Sequence, residues 1–318
     1  MVKILTKKNI LLLFKVLITT LFFVLILNKV DLNSTIVLLR KTNATFFVLA
    51  LAIMTIEVLI ANVRWQVILN QLGIIMPYFL ALRYLWIGVF FNQALPSSVG
   101  GDAVRTYYLC KHENCSIGVA TIGVLLDRVV GMFGLVVLII ATTPLLFGLV
   151  VDPVVKWGLV AVMIGSLSAI IISMLIDLIS NKLSHWKIVQ GLSAFSYKGR
   201  KIIFSYHGLV SILLSLVIHL IFIFAVWLLA IAMGLNISLF GMLLVVPITN
   251  LLIALPISIA GWGVREGVMI AGLGYLNVSA EAAFALSILY GILMLVVSLP
   301  GLFVWIWHKP KNYETITT

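Results

Sequence analysis

Arg105 and Arg265 each stand just after an interruption, rich in Pro and Gly, in an otherwise apolar run. Each has an acid at hand: Asp102 three residues before the first, Glu266 directly after the second. A guanidinium offers a planar fork of donors matched to phosphate or carboxylate. Placed near the first turn of a helix, it joins free backbone N–H groups and the positive end of the helix dipole, so the pattern predicts anion recognition. Ser98, Gly101, Ser258 and Gly261 come from the same interruptions and belong to the candidate binding set. Asp102 and Glu266 pair with the arginines in the absence of ligand, cap a helix or take up protons, and the sequence leaves these three roles open. Asp127 and Arg128 complete the set, followed by Gly131 and Gly134. Adjacent helical residues do not face each other, so each is expected to reach another helix, Asp127 toward Arg105. A structural ion pair and a substrate contact are both open for them.

The two interruptions are versions of one another. Ala94, Leu95, Pro96, Ser98, Gly101, Val104 and Arg105 recur as Ala254, Leu255, Pro256, Ser258, Gly261, Val264 and Arg265, each 160 positions on. Pro removes a backbone donor and clashes with the preceding turn, while Gly accepts angles that other residues avoid. Each stretch therefore predicts a helix, a break at Pro96 or Pro256, and a restart. Broken helices at matching places in two halves of a membrane protein point to a transport site. A pair of ordinary loops is the competing reading.

Of the 318 residues, 63% are hydrophobic and 10% charged. Many apolar runs reach the ~20 residues needed to cross ~30 Å of hydrocarbon. The prediction is an all-α polytopic integral membrane protein with no soluble domain. The net charge of +11 does not indicate nucleic acid, because the basic residues sit mainly beside the spans, where positive charge sets orientation. The run after Lys3, Lys7 and Lys8 has no small-residue cleavage site behind Leu27 and is expected to be a retained first helix. Cys110 and Cys115 lack zinc-like spacing and are expected as reduced thiols. No metal or other cofactor is expected.

Helices are predicted at about 10–27, 44–64, 77–95, 102–113, 116–150, 154–178, 208–233, 238–256, 264–275 and 280–307. The 116–150 stretch would measure roughly 50 Å at ~1.5 Å per residue, so it must tilt, kink or leave the membrane. The chain reads as one transmembrane domain, 1–318, with halves of about 1–152 and 153–318. Each half contains a broken element, re-entrant or fully spanning, and either count gives an odd number of crossings. An odd count makes the halves inverted. Lys182, Lys187, Lys198, Arg200 and Lys201 crowd the polar segment 179–207, which places both termini in the cytoplasm. Trp186 and these basic residues fit a topology signal better than a lipid-surface role.

Other polar residues fall inside apolar runs. Glu57 is isolated, with Arg64 seven residues on along the same face, and His219 reads as a hydrogen-bonded packing residue. Arg83 is placed to snorkel to the cytoplasmic surface. Asn92, Gln93 and Asn250 are placed to satisfy freed backbone groups or to line a polar cavity.

The run Asn92 to Pro96, then Gly100 to Arg105, with Asp127-Arg128-Val129-Val130-Gly131 and Gly261 to Gly267, resembles one family across essentially the whole chain. It is the flippase-like transmembrane domain at the N-terminus of lysylphosphatidylglycerol synthases, which also occurs alone and in some archaeal lipid-linked glycosyltransferases. The resemblance implies a bacterial plasma (inner) membrane protein that moves or handles a phospholipid or another lipid-linked molecule. Its aminoacyl transfer belongs to a separate soluble domain, which is not expected here because the sequence stops at Thr318. Ser97-Ser98 depart from the pattern, where Gly is expected nearer the Pro. A lipid flippase or translocase is the leading expectation, and no enzymatic activity is expected. A membrane-embedded transferase or phosphatase on lipid-linked phosphates, and a non-catalytic subunit of an envelope-lipid pathway, are the alternatives. The expected partner is a phospholipid or lipid-linked phosphate, with a homo-oligomer or an envelope-synthesis enzyme as protein partner.

Overall fold

In hydrocarbon no backbone donor or acceptor can be left to water, and an α-helix satisfies them within one segment. A computed structural model describes residues 7–28, 30–95, 99–113, 115–149, 152–179, 187–255 and 258–307. Among these the secondary structure is helical throughout, with no strand. The helices are α1 (Lys7–Leu27), α2 (Leu32–Arg40), α3 (Ala44–Gln71), α4 (Tyr78–Ala94), α5 (Gly100–Glu113) and α6 (Ile117–Leu149). They continue with α7 (Pro153–Ile179), α8 (Lys187–Ile203), α9 (Tyr206–Ala232), α10 (Leu239–Ala254), α11 (Val264–Gly274) and α12 (Ala280–Trp307). The five helices α3, α6, α7, α9 and α12 are long and apolar enough to cross a membrane. A sixth candidate is α1 with α2, bent by 92°. The protein is an all-α, multi-pass membrane protein.

The ten predicted helices are present, and two more were not read from the sequence. Helix α2 lies between the helices predicted at about 10–27 and 44–64, started by Asp31, whose side chain accepts from the Asn33 and Ser34 amides. Helix α8 lies in the long polar segment. It buries Phe195 and Ile202 against Ile122, Leu126 and Met174. Arg200 and Ser196 bind Asp177 of α7 at 2.6 Å. Helix α6 runs unbroken through its whole length with Pro144 inside it.

At the centre α3 packs along α9. Around that pair, α4 lies on α12 and α10 on α6, while α4–α5 and α10–α11 form the two broken elements. Advancing a helix number by six carries one of these pairings onto the other. Small residues let the backbones close up. A Cβ on Gly301 of α12 would lie 2.1 Å from the Trp86 carbonyl of α4, and the Trp86 indole donates to the Val297 carbonyl at 2.9 Å.

Candidate functional site

The two interruptions are built differently. In the first, α4 ends at Ala94 and α5 restarts at Gly100. The freed Gly101 amide donates to Asn92 Oδ1 at 2.9 Å, the backbone role foreseen for Asn92. In the second, Ala260, Gly261 and Gly263 have φ of +48°, +79° and +85°, a left-handed run that the two glycines adopt freely and that strains Ala260. The Gly263 amide then donates to Glu266 Oε2 at 2.6 Å, so Glu266 caps the helix that contains it. Pro96, Ser98 and Pro256 lie outside the described residues, and Ser258 is buried.

Around Arg105 the charges form a chain. Asp127 presents Oδ1 to Arg64 Nε at 2.9 Å and Oδ2 to Arg105 Nη2 at 3.0 Å. Arg64 also donates to Ser215 Oγ of α9 at 3.0 Å. Asp102 sits 3.8 Å from Arg105 Nη1 and 2.5 Å from Arg128 Nε, ion pairs rather than aligned hydrogen bonds. The Arg105 guanidinium lies over the Trp65 ring, 4.1 Å from its centroid, and its Nε is buried without a hydrogen bond. Asp127 and Arg128 thus turn to different partners, as adjacent helical positions require. Arg64 goes to Asp127 and Ser215, not to Glu57.

The second arginine is sealed. Arg265 donates to Glu266 Oε1 from Nη2 at 2.7 Å and from Nε at 3.0 Å. Ser287 of α12 donates to the same oxygen at 3.2 Å. Trp262 and Tyr290 stack on the guanidinium at 4.3 and 5.2 Å, and Gly291 leaves the space it occupies. Ser287→Ala should lower stability by about 1.5 kcal/mol, the loss of one hydrogen bond to a charged group. Denaturation midpoints in detergent measure it.

Between the two clusters lies a cavity of about 420 Å³. Asp102, Arg105, Asp127 and Arg128 line it from the first half, and Gly261 and Asn250 from the second. Glu57, Arg64, Asn92, Gln93, His219 and Tyr290 also face it. Glu57 has no hydrogen bond or ion pair among the described residues. His219 bonds the Gly131 carbonyl at 2.9 Å, the packing role expected of it, and Tyr290 donates to Asn250 Oδ1 at 2.6 Å. Arg265, Glu266, Ser258 and Gly101 do not line the cavity. Arg83 is exposed, and Cys110 and Cys115 are not joined in a disulfide.

Sequence reasoning missed Trp65, Ser215, Ser287 and Tyr290. Two clues were available in the offset of 160: it carries Asp127 onto Ser287 and Gly131 onto Gly291. Those are the positions on α6 and α12 that hold the charged groups of each half.

Fold and site together define a multi-pass helical membrane protein with a charged cavity between broken helices. The chain belongs to the family described as the lysylphosphatidylglycerol synthase TM region, which it matches over residues 12–301. A UPF0104 membrane protein of Methanocaldococcus jannaschii is 27% identical over 305 residues, 89% of each chain. A UPF0104 membrane protein of Methanothermobacter thermautotrophicus is 23% identical, covering 79% of this chain and 81% of its own. One from Pyrococcus horikoshii is 30% identical over 108 residues, about a third of each chain. No solved structure matches the chain.

Proposed function

We propose that the protein is a flippase-like translocase of the plasma (inner) membrane, both termini cytoplasmic, that passes the headgroup of a phospholipid or lipid-linked phosphate through the charged cavity. The observation that carries this reading is the composition of the cluster at its wall. Three guanidiniums, Arg64, Arg105 and Arg128, hold two carboxylates, Asp102 and Asp127. Within that cluster the surplus positive charge matches the single negative charge of a phosphodiester, and Glu57 is the remaining acid on the cavity wall. Arg105 Nε, buried and without a partner, and Arg128, the most exposed guanidinium of the cluster, are the groups that such an anion would engage. The packing of α3–α6, echoed by α9–α12, supports two related halves of about 1–152 and 153–318 around a shared cavity, and the odd number of crossings in each makes them inverted. On this reading the Arg265–Glu266 pair is the latched counterpart of the Arg105 cluster, and Gly101, Ser258 and Gly261 shape the two breaks.

Leaflet exchange of labelled anionic phospholipid in reconstituted liposomes tests it. Arg105→Ala should slow exchange about tenfold or more, the loss of a charge-assisted hydrogen bond of roughly 1.5–3 kcal/mol. Wild-type exchange in both Arg105→Ala and Arg265→Ala would overturn the site.

A further inference from the structure

A second hollow, about 460 Å³, lies between α1, α7, α10 and α11 and shares no lining residue with the charged cavity. Phe22, Leu159, Ile248 and Val268 form its wall, with Gly267 and Ala271 keeping the α11 side low. It follows α11 from Val264, at the break, to Tyr275 and Leu276 beyond its end. Eleven residues of helix make about 16 Å at ~1.5 Å per residue, comparable with half of a ~30 Å hydrocarbon core. One acyl chain of one leaflet fills that depth. The hollow is continuous with a lipid-facing surface on α7, where Val154 and Trp157 are 79% and 72% exposed. Helix α7 enters the hollow through Val155 in its first turn. The next residue, Lys156, has no ion pair among the described residues and lies 6.0 Å from the Phe147 ring. Lys156 flanks the hollow beside Val155 rather than lining it, and a flexible cation next to an apolar groove complements a lipid phosphate.

We infer that this groove seats one acyl chain of a membrane phospholipid whose phosphate pairs with Lys156. The site does not depend on lipid exchange through the charged cavity. Apolar walls hold the chain by area removed from competing contacts, and Lys156 fixes which end of the lipid faces the surface.

The test uses the full chain in liposomes containing an anionic phospholipid with a photoactivatable diazirine in its acyl chain, and maps labelled residues after irradiation. Label should concentrate on Val268, Ala271 and Ile248 over the other apolar hollow, around Leu220, Phe240 and Leu243. Val268→Trp should cut groove labelling about fivefold or more, the effect of excluding one or two methylenes. Lys156→Glu should also reduce it, and Leu243→Trp should leave it unchanged. If Val268→Trp does not elute as the folded protein, Ala271→Leu, at an exposed position, replaces it with the same expected direction. Even labelling of all lipid-facing helices, or groove labelling unaffected by the filling variant, would overturn the inference. Because the readout is occupancy, these outcomes are independent of whether Arg105→Ala slows leaflet exchange.

Discussion

Asp127→Asn should lower the stability of the purified protein by roughly 3–5 kcal/mol, the cost of leaving buried charge unpaired. Asp127 is 3% exposed, and its two oxygens serve separate arginines. An amide of the same shape can accept from one of them only, and its NH2 turns a donor toward the other guanidinium. Both arginines are buried, so bulk water replaces the lost acceptor poorly. Arg105→Met should be milder, because Asp127 keeps Arg64 and Asp102 keeps Arg128, while the methionine stem retains some contact with Trp65. The two variants should therefore rank in opposite orders: Asp127→Asn worst for folding, Arg105→Met worst for leaflet exchange in the molecules that fold. Midpoints of thermal and denaturant unfolding in detergent, read beside exchange rates, separate the effects. A loss below about 1 kcal/mol for Asp127→Asn, within the range of an exposed ion pair, would mean that water reaches the cluster.

Most helices were legible because a membrane imposes one simple rule on its spans: long apolar runs with no unpaired backbone. The same rule hid α2 and α8. Helix α2 is nine residues long, and α8 is amphipathic, buried on one side by Phe195 and Ile202 and open on the other through Tyr197 and Lys201. A search for spans passes over both. At the site, the arginines and acids were visible as charges in the wrong solvent, and helix geometry sent Asp127 and Arg128 to different helices, with Arg105 as one candidate partner for Asp127. What periodicity could not supply was distance between helices remote in sequence. Arg64 and Ser215 meet across 151 positions, and nothing in either segment announces the other. Nor did the repeat reveal that its copies differ in environment. One arginine faces a cavity, whereas the other is capped by an acid that its counterpart lacks at the same register, since Glu266 aligns with Thr106.

Gly101→Ala should cost about 3 kcal/mol, the upper end of overpacking penalties, although it adds one methyl group. A Cβ at this position would lie 1.9 Å from the Gly88 carbonyl and 2.7 Å from the Asn92 side chain. The obstacle at 1.9 Å is helix backbone, which cannot rotate away as a side chain can, so α4 and α5 must part. Parting them also pulls the Gly101 amide from Asn92 and lifts Arg105, whose stem packs where a Cβ on Gly88 would stand, 2.5 Å from Cγ. The opposite extreme is Gly165 of α7, with nothing within 4 Å of an added Cβ. Gly165→Ala should be neutral or stabilising by up to about 1 kcal/mol, through helix propensity alone. Equal unfolding midpoints for the two variants would remove the α4–α5 crossing as the feature that holds Arg105 against the cavity. A wide gap between them would locate the geometry of the site in that crossing, where two glycines bring the arms of a broken helix close enough to aim a buried guanidinium.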